Sequence, residues 1–83
     1  MMWKRSDIRA ARHIPLVPIL QKQGYRMESR ANGNYLVLGL AKEVLVKDHY
    51  WLCVDDGSAG NSIDFFVKIQ GISFNKAMEL LTS

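Results

Sequence analysis

The spacing of apolar residues changes character twice along the chain. Leu16, Ile19 and Leu20 recur at helical intervals, then residues 25–54 alternate or run apolar in short bursts, and helical spacing returns from Ile63 onward. The first stretch predicts two helices. Ser6 can N-cap a short one over about residues 7–13. Pro15 suits the first position of a second helix, where its missing N–H costs nothing, and Pro18 still lies among the unbonded first-turn donors. Gly24 stops that helix, with Tyr25 placed to fold back on Leu20 in a Schellman cap.

The middle predicts an antiparallel meander of about four strands. Tyr25, Met27 and Ser29 alternate with Arg26, Glu28 and Arg30, and Asn32-Gly33 supplies the two positive-φ residues of a tight hairpin turn. Asn34–Leu40 returns, Val44–Val46 forms the third strand, and Asp48-His49 turns it into the β-prone Tyr50–Val54. A loop over residues 55–60 comes next. Asn61 and Asp64, three apart, have the spacing of a capping box, and Ile63, Phe66 and Val67 make the buried face of the helix they start. Gly71 ends it. Ser73 caps a last helix in which Phe74, Ala77, Met78 and Leu81 recur at helical spacing. Two helices, a small sheet and two helices describe an α+β domain.

With 83 residues, the chain has room for one such domain over 1–83, either a whole protein or the N-terminal domain of a longer one. No apolar run approaches the roughly 18 residues that cross a bilayer, and no signal-peptide core is present. One cysteine cannot make an internal disulfide, which favours a reducing cytoplasm. The net charge of +3 is unevenly spread: residues 1–30 carry seven cations against two acids, whereas residues 31–83 carry four against six. A basic N-terminal third is a footprint expected of a protein that meets phosphate, or simply a solvated surface.

Catalytic chemistry finds no constellation. His13 and His49 are not tied by sequence to Cys53 as a base to a nucleophile, and Cys53 reads as a buried strand residue. Asp55 and Asp56 are adjacent turn acids without EF-hand spacing, and the Gly57–Gly60 loop lacks the Lys-Ser/Thr of a phosphate-binding loop. The sheet offers more. Arg26, Arg30, Asn34, Tyr35, Lys42, Lys47, Tyr50 and Trp51 interleave cations, an amide and rings, a surface on which single-stranded bases stack while cations follow the backbone. The alternative is that Tyr35 and Trp51 belong to the core and the cations only cover a face.

The stretch from Gly57 to Phe66 (GSAGNSIDFF), then Gly71-Ile-Ser-Phe74 and Ala77 to Leu81 (AMELL), resembles the CHC2-type zinc-binding domain of bacterial DNA primases. Ile14-Pro-Leu-Val17, Gly24-Tyr25 and Gly33-Asn-Tyr35 resemble the same domain in primase-like proteins of plasmids and conjugative transposons. The likeness covers about residues 6–82. Its departures fall on the metal: the ligand positions coincide with about Gly39, Lys42, Cys53 and Asp56, and only Cys53 is a family ligand. The resemblance therefore implies a zinc-less relative with no cofactor, whose core must replace the metal. It also implies a non-catalytic accessory domain that contacts single-stranded template DNA beside a Toprim-like primase catalytic domain or another replication protein. An adaptor that has lost DNA binding and docks on a replication or mobile-element partner is the alternative.

Overall fold

A computed structural model describes residues 3–82 and has the α+β architecture expected of the sequence. Helices α1 (Arg5–Arg12) and α2 (Leu16–Lys22) precede a five-stranded antiparallel sheet in simple meander order. Its strands are β1 (Met27–Ser29), β2 (Tyr35–Val37), β3 (Val44–Lys47), β4 (Tyr50–Cys53) and β5 (Ala59–Gly60). Helix α3 (Ser62–Asp64) runs on as a π-helical turn (Phe65–Ile69), and α4 (Phe74–Thr82) closes the chain.

The local signals act where the sequence puts them, with small shifts. Asp7, not Ser6, satisfies the start of α1: its carboxylate accepts from the Lys4 amide at 3.2 Å, so the helix begins one residue before Ser6. Pro15 is the N-cap of α2 instead of its first residue. The Schellman cap forms, with the Tyr25 amide donating to Leu20 O and the Gly24 amide to Gln21 O, both at 3.0 Å, and Gly24 at φ +91°. Asn32 and Gly33 both take positive φ in the β1–β2 turn, as Asn-Gly predicts. Strand β2 is shorter than Asn34–Leu40. The Leu38 amide still bonds Arg26 O at 2.8 Å, and then Gly39 turns the chain at φ +91°.

Strand β5 has no signal in the sequence. Asp56 folds the loop back by accepting from both the amide and the hydroxyl of Ser58, at 2.8 and 2.6 Å. That return lets Ala59 and Gly60 pair with Leu52 and Trp51.

One sheet face carries Val37, Val44, Val46, Trp51 and Cys53, all buried under the helices with Leu16, Leu20, Phe65, Phe66, Met78 and Leu81. Trp51 and Phe65 meet edge-on, as do Phe65 and Phe66. One expectation about the core is corrected. Val67 is exposed and Phe65 is buried, because the π turn (Gln70 N to Phe65 O, 3.2 Å) reaches one residue further than an α turn and rotates the side chains along it. Phe74, the first residue of α4, is 41% exposed, so its apolar stripe overhangs the core by one turn while Ala77, Met78 and Leu81 are buried.

Candidate nucleic-acid interface

Trp51 is the main correction among the sequence-predicted site residues. It is 2% exposed, and its indole N–H donates to Asn61 O at 2.9 Å, so it is a core ring and offers no stacking surface. The reason is strand parity. In Tyr50-Trp-Leu-Cys53 every residue is β-prone and apolar-bodied, and the register that buries Cys53 buries Trp51 with it. Tyr35 shares the parity of Val37 and is 37% exposed, at a corner of the core face that the helices leave partly open.

The remaining predicted residues divide between the two ends of the sheet. Arg26 and Arg30 flank the short β1 and so stand at opposite ends of it. Arg26 is exposed beside Leu38 and Gly39. At the same end the Lys42 ammonium lies 3.0 Å from Asp56 Oδ2. Asp56 is held well below the usual carboxylate range, first by the Ser58 hydroxyl, then by the Ser58 amide, Lys42 and the Cys53 thiol. Its hydrogen bond and charge raise Lys42 above its ordinary value. Three of the four positions where the resemblance places zinc ligands, Lys42, Cys53 and Asp56, are thus neighbours joined by an ion pair and hydrogen bonds. Among the described residues, no group of three or more His, Cys, Asp or Glu could hold a metal ion.

The other end gathers Arg30, Asn34, Lys47 and Tyr50. Arg30 pairs with Glu28 at 2.8 Å, and the Asn34 side-chain amide is committed to Ala31 O at 2.9 Å, so both are partly used inside the hairpin. Lys47 has no ion-pair partner among the described residues. It lies opposite Tyr50 in the β3–β4 ladder, and a Cβ on Gly33 would sit 3.8 Å from its Cε. Tyr50 is 60% exposed.

What sequence reading missed is the company that Tyr50 keeps. Its ring lies 4.2 Å from that of His49, which lies 4.8 Å from that of His13 at the C-cap of α1. The Leu16 amide donates to Asp48 O at 2.9 Å, which docks the start of α2 on the β3–β4 turn and brings His13 and His49, 36 apart in sequence, into contact. His13 Nδ1 bonds Arg9 O at 2.8 Å and His49 Nδ1 lies 3.0 Å from Asp48 Oδ2, so both rings are oriented. Local spacing carries no trace of this, because the contact depends on how α2 seats against the sheet. The result is a run of surface from Gly33 through Lys47, Tyr50 and His49 to His13 and onto α1.

The outer sheet face is apolar in its centre. Leu36, Leu45, Leu52 and Ala59 stand in one cross-strand row, with Leu52 44% and Val54 48% exposed, and among the described residues no helix covers them. Among the described residues no helix is long and apolar enough to cross a membrane. No family model matches the chain, and no curated protein matches it.

Proposed function

We propose that this chain is a non-catalytic cytoplasmic domain that binds single-stranded DNA and serves as an accessory to a primase-like replication or mobilisation protein. The observation that carries this reading is the end of the sheet where the exposed Tyr50 ring, set at a tilt against His49, which in turn meets His13, stands beside Lys47, a cation without an ion-pair partner among the described residues. Rings take bases, each stack being worth roughly 1–3 kcal/mol, and cations follow phosphates. The resemblance to primase zinc-binding domains supports the same reading, and the basic N-terminal third agrees with it.

The test is titration of a labelled oligonucleotide at two salt concentrations. Affinity is expected to be weak, about micromolar, since few phosphates are met. Three or four phosphate contacts give a log–log salt slope of about −2 to −3 at roughly −0.7 per contact. Lys47→Glu lowers affinity and flattens the slope. Tyr50→Ala lowers affinity and leaves the slope unchanged, because stacking releases no counterions. Absence of binding at the lower salt overturns the reading.

The adaptor reading has one observation in its favour, the uncovered apolar row Leu36–Leu45–Leu52. Its occupant would be the Toprim-like catalytic domain of the same system. Under that reading oligonucleotides do not bind alone, and Leu52→Lys, not Lys47→Glu, abolishes association with the catalytic domain.

A further inference from the structure

Helix α1 carries Arg5, Arg9 and Arg12 at i, i+4 and i+7, which places three guanidinium groups in one stripe. All three are exposed, and among the described residues none meets a carboxylate. This arrangement is unfavourable for the helix itself. Like charges at these spacings repel, and Arg5 stands at the end of the helix where the backbone dipole disfavours a cation. Arg9 and Arg12, in the last turn, gain from the same dipole, so within the helix the repulsion is only partly offset.

The stripe also has a shape. With Trp3 and Ile8 the three arginines line an open cleft of about 570 Å³, within the roughly 300–1,000 Å³ of small-molecule sites. The Trp3 ring is half-buried and pinned, its indole N–H donating to Asn75 Oδ1 at 3.0 Å, so an aromatic wall is fixed in place before any ligand arrives. Guanidinium forks match phosphate oxygens in pairs, and an indole stacks on a base.

We propose that this cleft is a nucleotide site, with the phosphates held by Arg5, Arg9 and Arg12 and the base against Trp3. Clustered guanidiniums suit the concentrated charge of adjoining phosphates better than a lone carboxylate. The same chemistry comes from two sources, a free nucleoside triphosphate or the 5′-phosphorylated end of a strand. The cleft is lined by other side chains than the Lys47–Tyr50 end and does not depend on single-strand binding there.

Fluorescence of the full chain tests it, since Trp51 is buried and gives a constant background to Trp3. The probes are ATP, inorganic triphosphate, and one oligonucleotide with either a 5′-phosphate or a 5′-hydroxyl. Saturable quenching by ATP identifies the free nucleotide as ligand. Tighter binding of the 5′-phosphorylated strand than of its hydroxyl twin identifies the strand end. In either case Arg9→Glu and Arg12→Glu, whose folding circular dichroism checks, each weaken binding at least tenfold. Trp3→Phe abolishes the quench while calorimetry still detects phosphate binding. Lys47→Glu and Tyr50→Ala leave ATP affinity unchanged, so failure of the single-strand reading does not touch this one. The proposal is overturned if neither ATP nor the 5′-phosphate gives a gain, or if Arg9→Glu and Arg12→Glu bind as the wild type does.

Discussion

Asn61 makes hydrogen bonds through both its side chain and its backbone where the glycine loop meets the helix. Its Oδ1 accepts from the Asp64 amide at 3.1 Å, its own amide donates to Asp64 Oδ2 at 3.2 Å, and its carbonyl receives Trp51 Nε1. Asn61→Ala should cost about 1 kcal/mol in a denaturant melt, the usual value of a lost cap. Gly60→Val should cost more, because a Cβ there would lie 2.6 Å from Asp64 Oδ2 and 2.7 Å from Asp64 Cβ. Equal costs would mean that Asp64 moves aside freely. The cap was legible because it depends on a spacing of three residues. The burial of Trp51 was not, since alternation tells which residues share a face and not which face turns inward. With Tyr50, Leu52 and Val54 on the other parity, both faces of β4 looked apolar.

The same limit appears in whole elements. The helix after Asn61 was legible in its start and its Gly71 stop, but the π turn between them moves the buried face from Phe66 and Val67 to Phe65 and Phe66. Phe66→Ala should therefore cost about 3–5 kcal/mol, whereas Val67→Ser should stay within about 0.5 kcal/mol. A large loss at Val67 would restore the regular α-helical face. Strand β5 depends on the Asp56–Ser58 turn, which makes that element sensitive to acid. Because Asp56 is held below its ordinary 3.8 in the folded chain, its contribution is complete above that value and is lost as pH falls through the lower folded one. Lys42, raised from 10.5, keeps its share up to alkaline pH. Asp56→Asn should lower the melting temperature at neutral pH and narrow its gap from wild type below pH 3.8. An unchanged gap would show that Asp56 holds the turn independently of its charge.

At the scale of the molecule, the helices all seal one face of the meander, and the connections at its two ends have different chemistry. One end collects Lys47, Tyr50, His49 and His13, which sequence spacing left scattered over 38 positions from His13 to Tyr50, because only the docking of α2 on the β3–β4 turn unites them. The other end joins the β2–β3 and β4–β5 connections through Lys42–Asp56, the Glu43 amide on Asp55 Oδ2 at 3.2 Å and the Val54 amide on Glu43 O at 2.8 Å. The proposed resemblance to primase zinc-binding domains would put a metal between the same two connections, where its removal would unfold the domain. Here the tie is polar and the free energy of folding must come from the core. Phe65, Phe66, Leu16, Leu20 and Met78 are fully buried, and Trp51 and Leu81 nearly so. Each such side chain contributes roughly 1.5–3 kcal/mol on burial. The whole chain should therefore melt at one temperature with and without a strong chelator, and added zinc should not raise it. A chelator-induced fall in melting temperature, with loss of helical dichroism, would mean that a metal is bound through ligands other than the four positions the resemblance names. Lys42→Ala makes the same argument from the other side: it should lower the melting temperature equally in the presence and absence of chelator, because the tie it removes is an ion pair.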